Sequence, residues 1–169
     1  YQSGGLFSAM TLAENITLPL ELYTSYTPAE ITDIVAYKLA LVGLAGYQSY
    51  YPSEISGGMQ KRAALARAIA LDPKILFFDE PSAGLDPISS RLLDELIVQI
   101  KESMGATVVM VTHELPSIFA IATNSVYLDN ITRTMIAYGN PADLRDHSPQ
   151  PVVRQFLTRS AAASIEDQP

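Results

Sequence analysis

The chain has 169 residues, 48% hydrophobic and 17% charged, with 18 acidic against 11 basic side chains and a net charge of −7. This is the composition of a folded chain with room for a core, and its acidity argues against a nucleic-acid binder, which needs Lys and Arg to neutralise phosphates. There is no cysteine, which excludes a disulfide framework and a thiolate metal site.

The opening Tyr1-Gln2-Ser3-Gly4-Gly5 has no initiator Met and no signal-peptide pattern, and reads as the interior of a longer polypeptide. Thr11 is positioned to cap a short helix over Leu12–Ile16, with Pro19 as its stop. Thr27-Pro28 starts a longer helix, Pro being well suited to a first turn. Its apolar positions Ile31, Ile34, Val35, Leu39 and Val42 recur at helical spacing until Gly43. After a connector over 47–52, a second long helix is predicted from Gly57 to about Leu71.

The pattern then changes. Ile75–Phe78 is a continuous apolar run and reads as a buried parallel strand. Residues 87–103 form a helix with Leu92, Leu93, Leu96, Ile97 and Ile100 on one side, and Thr107–Thr112 is a second buried strand. Strand, helix and strand make a βαβ unit. A short helix over 116–122 follows, then a hairpin of Val126–Leu128 and Thr134–Tyr138 joined through Asp129-Asn130. From Ser160 onward the residues are small and polar and read as loose. The apolar runs are far too short to cross a bilayer.

Two motifs carry chemistry. In Ile55-Ser56-Gly57-Gly58-Met59-Gln60-Lys61-Arg62, Ser56 caps a helix whose glycines let an anion approach the positive end. Its first turn holds Lys61 and Arg62 and no acid, which favours an anionic ligand over a plain capped helix with a solvated basic face. The second motif is an apolar strand delivering Asp79 and Glu80 at its C-terminal end, where the alternative is a solvated turn. Leu85-Asp86-Pro87 follows, and His113 ends the next strand. The βαβ unit is expected to bring Asp79, Glu80 and His113 to one sheet edge, the ligand-binding edge of α/β proteins.

This ordered set resembles the ABC transporter ATPase family: Gln2 (Q-loop), Ser56-Gly57-Gly58 (signature), Asp79-Glu80 (Walker B), Ser82-Ala83-Gly84-Leu85-Asp86 (D-loop) and His113 (H-loop). The likeness extends to about Leu157. It implies an α/β fold, a partial P-loop NTPase (RecA-like) parallel sheet with an inserted α-helical subdomain. Residues 1–20 would begin the core, 21–71 would be the helical subdomain with the signature helix, 72–145 the RecA-like core, and 146–169 a C-terminal helix and tail.

The resemblance also implies roles, with ATP and Mg²⁺ as cofactors. Gln2 would contact Mg²⁺ and the attacking water. Ser56, Gly57 and Gly58 would close over the γ-phosphate held by a second ATPase subunit in a homodimer. Asp79 would bind Mg²⁺ through water, Glu80 would be the general base, Asp86 would act across the dimer interface, and His113 would touch the γ-phosphate. Met59 departs from the glutamine of many relatives. No G-x-x-x-x-G-K-[ST] occurs, and none of Lys38, Lys61, Lys74 and Lys101 follows a glycine. The chain taken alone is therefore expected neither to bind nor to hydrolyse ATP appreciably. In the family the phosphate-loop strand lies between the His113 strand and the one near Val126, so an unpaired apolar edge is expected beside Thr107–Thr112. Strand exchange with a second copy, a displaced C-terminal hairpin or upstream residues would cover it.

The wording of Gln2-Ser-Gly-Gly-Leu-Phe-Ser, Glu14-Asn15, Met59, Arg62-Ala-Ala-Leu-Ala-Arg-Ala-Ile-Ala-Leu and Val153-Arg154-Gln155-Phe156-Leu157 resembles the ATPases of Mla-type (MCE-associated) phospholipid transporters. That implies a peripheral protein at the cytoplasmic face of the inner membrane. Its partners would be an integral membrane permease docked on the helical subdomain and an MCE-type lipid-binding subunit, with no nucleic acid. Tyr23, Tyr26, Tyr37, Tyr47, Tyr50 and Tyr51 cluster in that subdomain and suit an interface, Tyr37 being read instead as internal packing. Two other classes share features with the chain. SMC-type chromosome ATPases carry the same signature and Walker B, but they need sustained heptads that residues 3–55 lack. The second is a non-catalytic interaction module.

Overall fold

The computed structural model describes residues 5–159. Gln2 and the tail from Ser160 lie outside them. The chain divides into two compact units, Tyr1–Thr112 and His113–Pro169.

In the first unit, α1 (Leu12–Tyr23) and α2 (Pro28–Leu41) each begin with a capping box, Thr11 with Glu14 and Thr27 with Glu30. The main-chain N–H and hydroxyl of each Thr hold the paired Glu below its usual carboxylate pKa. Pro19 does not stop α1. It removes one interior hydrogen bond, while Leu12, Ile16 and Leu20, fully buried on one stripe, keep the helix running to Tyr23. α2 ends before Gly43, whose φ of +68° gives the left-handed turn glycine supplies most readily. A 3₁₀ turn over Pro52–Glu54 leads into α3 (Gly57–Ala68), which stops short of the expected Leu71 because Ile69 to Leu71 form a turn closed by Asp72 N–H on Ile69 O at 3.2 Å.

β1 (Ile75–Asp79) and β2 (Thr107–Val111) pair in parallel, Ile75 opposite Thr107 through Asp79 opposite Val111, connected by α4 (Pro87–Met104). Leu76, Phe78, Val108 and Met110 face a core containing Leu93, Ile97 and Ile100 of α4, all of α1's stripe and the inner side of α3. The strands are not buried on both faces, as their apolar runs had implied. Phe77 is 75% exposed, and Ile75, Val109 and Val111 share its open side. An apolar run of this kind calls for two covering layers, and the described residues of this unit supply one. Leu92 likewise falls outside the buried side of α4.

In the second unit, α5 (Leu115–Ile121) precedes an antiparallel pair, β3 (Ser125–Leu128) and β4 (Met135–Gly139), followed by α6 (Pro141–His147) and α7 (Pro151–Thr158). Among the described residues, β1–β2 and β3–β4 are each a two-stranded sheet. The hairpin link is longer than Asp129-Asn130. Asp129 organises it by accepting from Thr132 N–H at 2.7 Å and Thr132 Oγ1 at 2.8 Å, and Arg133 takes a φ of +54°. Leu115, Val153 and Leu157 form a small core, against which Tyr127 and Phe156 meet edge-on at 5.5 Å.

Asn15 is the one fully buried polar side chain in α1. It accepts from Phe7 N–H at 2.8 Å and donates to the carbonyls of Phe7, Met10 and Thr11 at 3.1, 3.1 and 2.9 Å, fixing the loop before the helix. Asn15→Ala is expected to reduce unfolding free energy by about 2–4 kcal/mol, since it strands several buried main-chain groups. Asn15→Asp should cost more at neutral pH, because a carboxylate would face those carbonyls. Urea unfolding of the three proteins checks the order, and a wild-type midpoint for Asn15→Ala would refute it.

Candidate functional site

The loop from Asp79 to Asp86 gathers most of the chemistry in the first unit. Asp79 ends β1 with its side chain exposed. Glu80 follows with a φ of +48°, a left-handed backbone that costs a non-glycine residue about 1–2 kcal/mol. It is held there by its N–H on Val111 O at 2.8 Å and by Ala83 N–H on its own carbonyl at 3.2 Å. Its carboxylate accepts from Thr112 Oγ1 at 3.3 Å. Strain of this kind persists where the surroundings over-determine it, and it concentrates at functional sites.

Further along, Ser82 is buried, and its hydroxyl has no hydrogen-bond partner among the described residues. Gly84 takes a φ of +77° to turn the chain. Asp86 is exposed and serves as the N-cap of α4. One oxygen accepts from Ile88 N–H and Ser89 N–H at 3.0 Å each, the other from Ser89 Oγ at 2.5 Å. The Ser89 hydroxyl, with these N–H groups, holds its carboxyl below the usual aspartate range.

Ser56 caps α3 by accepting from Met59 N–H at 3.3 Å. A Cβ at Gly57 would meet nothing within 4 Å, and one at Gly58 would meet only Leu85 Cδ2 at 3.9 Å. Neither takes a left-handed backbone. Within this chain, then, neither conformation nor crowding demands glycine there, and the helix start is open to a close approach from outside. The basic side chains do not add to that opening, contrary to the sequence reading. Arg62 donates to Val42 O at 3.0 Å, closing the end of α2, and Lys61 Nζ lies 3.5 Å from Glu80 O. Both are used to join segments of the chain.

His113 opens the second unit, exposed, with Nε2 4.0 Å from Glu114 Oε1. The first unit by itself brings Asp79, Glu80 and Thr112 together at one strand end. Gln2 lies outside the described residues. Among the described residues no group of three or more His, Asp and Glu could hold a metal by itself. Asp79 suits Mg²⁺ in chemistry, since that ion is commonly held by one or two carboxylates plus phosphate oxygens and water.

Four contacts escaped sequence reading: the Thr112 bond to Glu80, the Lys61 approach to the Glu80 carbonyl, and two made by Arg67, which donates to Gly5 O and lies 4.4 Å over the Phe7 ring. Only Thr112 left a signal, as the polar end of an apolar strand. Tyr37 was expected to pack internally but is 60% exposed. It lies two positions from buried Val35, on the opposite side of α2.

The Asp86 cap is expected to matter in a pH-dependent way. Its pKa is depressed in the fold, so its stabilising contribution is full above the ordinary aspartate range of about 3.9 and is lost as pH falls through the folded value. Asp86→Ala should lower the urea midpoint at pH 7, and the gap from wild type should narrow toward pH 3. An unchanged gap would show that the charge does not contribute.

The ABC transporter family model matches residues 1–83. The chain is 44% identical over 157 residues to the probable ribonucleotide transport ATP-binding protein mkl of Mycobacterium bovis, covering 93% of this chain and 43% of that protein. It is 41% identical over 157 residues to the intermembrane phospholipid transport system ATP-binding protein MlaF of Escherichia coli, covering 93% and 57%. A solved ATP-binding cassette, a dimer in a post-hydrolysis state with ADP and Pi, superposes with a TM-score of 0.72 at 27% identity, over 83% of this chain and 60% of its own. The chain spans about half the length of the curated relatives it matches.

Proposed function

The chain belongs to the ABC transporter family, and from that premise we propose that the full-length protein hydrolyses ATP to drive a membrane permease, with phospholipid as the cargo. The observation that carries the hydrolytic reading is Glu80, a carboxylate at a strand end, on a strained backbone, with its side chain held by Thr112. In this reading Glu80 takes the proton of the attacking water. Asp79, exposed beside it, would hold the Mg²⁺ that accompanies ATP, through water. That ion neutralises charge on the transferred phosphoryl group.

The open start of α3 at Ser56, Gly57 and Gly58 offers main-chain N–H groups to the γ-phosphate held by a second copy, and the dimeric state of the solved relative supports this. Asp86 acts at the junction between copies through the loop it caps. By the family resemblance, Gln2 would contact Mg²⁺ and the attacking water, and His113 would contact the γ-phosphate. The helical subdomain, residues 21–71, receives the permease. Its exposed Tyr23, Tyr26, Tyr37, Tyr50 and Tyr51 suit such a surface. No helix of the described residues is long and apolar enough to cross a membrane; a peripheral place at the cytoplasmic face of the inner membrane rests on the resemblance to Mla-type ATPases. Phospholipid as cargo, with an MCE-type subunit in the complex, rests on the wording shared with Mla-type ATPases and on the phospholipid transport named for the Escherichia coli relative.

Two outcomes are expected. Calorimetric titration of residues 1–169 with Mg-ATP should give no micromolar binding, because a phosphate loop supplies most β- and γ-phosphate contacts. In the full-length protein, Glu80→Gln should cut turnover by about 10²–10⁴-fold with nucleotide binding retained. Wild-type hydrolysis by Glu80→Gln would remove Glu80 from the role of base.

A further inference from the structure

The left-handed backbone of Glu80 is fastened from two sides that belong to its own strand pair and turn, Val111 O and Ala83 N–H. A third fastening comes from elsewhere. Lys61, at the beginning of the second turn of α3, brings Nζ to 3.5 Å from Glu80 O, nineteen residues away in the chain. The lysine is not a solvated surface group. Its side chain is partly buried, and that burial pushes its ammonium below the usual lysine pKa, while the negative charge of Glu80 pulls it back up.

A lysine normally keeps its head in water and buries only its stem. Here the head is drawn partly out of water toward the carbonyl of the one strained residue in the loop. The carbonyl already accepts from Ala83 N–H, and the ammonium 3.5 Å from the same oxygen opposes the peptide rotation that would return Glu80 to an ordinary backbone.

We propose that Lys61 is a positioning residue for Glu80, locking the left-handed turn so that the start of α3 sets the aim of the carboxylate that Thr112 then holds. Lys61 touches a main-chain carbonyl and takes no part in proton transfer. The inference rests on the reading of Glu80 as general base.

The test uses the full-length protein carrying Lys61→Met, which keeps the apolar stem and removes the donor, beside Lys61→Arg, which restores one. Lys61→Met should lower kcat roughly tenfold, the scale of one lost charge-assisted hydrogen bond, with KM for ATP within about twofold of wild type. Lys61→Arg should recover most of that loss. Amide hydrogen exchange, which needs no turnover, should accelerate across residues 80–84 in Lys61→Met, return toward wild type in Lys61→Arg, and stay unchanged in α1 and α2. Unchanged exchange at 80–84 would overturn the anchor. Faster exchange with an unchanged kcat would overturn its role in aiming the base, and so would a loss confined to KM. Glu80→Gln measured alongside separates the two ideas. If that variant turns over normally, the reading of Glu80 as base falls and the positioning of a base falls with it. If Glu80→Gln is inactive while Lys61→Met is normal, only the Lys61 inference falls.

Discussion

The first unit depends on how closely α3 can be enclosed. Ala63, Leu65 and Ala66 of α3, with Ile69 and Ala70 of the turn that follows, are almost wholly buried, and the small side chains at 63 and 66 let the helix sit deep in the core shared by α1, α2 and the β1–β2 pair. A helix enclosed in this way has few directions left for its polar side chains, and those of α3 all end on main-chain oxygens. Gln60 donates to Pro52 O, Lys61 approaches Glu80 O, Arg62 closes the end of α2, and Arg67 reaches Gly5 O. Loops that no sheet ladder satisfies thereby receive donors from one helix.

This also determines which parts of the candidate site the unit can hold rigidly. The strained turn at Glu80 sits between a ladder bond from β2 and a donor from α3. The buried Ser82 hydroxyl lies in the same loop. Two unfavourable local choices meet in this loop, a left-handed glutamate and a buried hydroxyl with no hydrogen-bond partner among the described residues.

Much of the order of elements was legible in the sequence, because capping threonines, the periodicity of α2 and α4 and the apolar runs of β1 and β2 are local signals. The parallel pairing of Ile75–Asp79 with Thr107–Val111 followed from the βαβ spacing. What could not be read had non-local causes. Pro19 stays inside α1 because burial of Leu20 outweighs a lost hydrogen bond, and Phe77 is exposed because no described element of the unit covers that side of the sheet. The residues of the candidate site were legible as a motif order, but their contacts were not. Whether Arg62 faces an anion or caps a neighbouring helix depends on where α2 ends in space, which no spacing along the chain encodes.

The glycines at the start of α3 show what stability alone would have chosen differently. Nothing among the described residues would resist a methyl group at 57, and alanine favours a helix over glycine by up to about 1 kcal/mol, least at its ends. A chain optimised only to stay folded would hold alanine there. Glycine keeps the first N–H groups of the helix uncovered at the expense of the melting temperature. Stabilising the domain at this point would therefore obstruct the surface that the glycine leaves open.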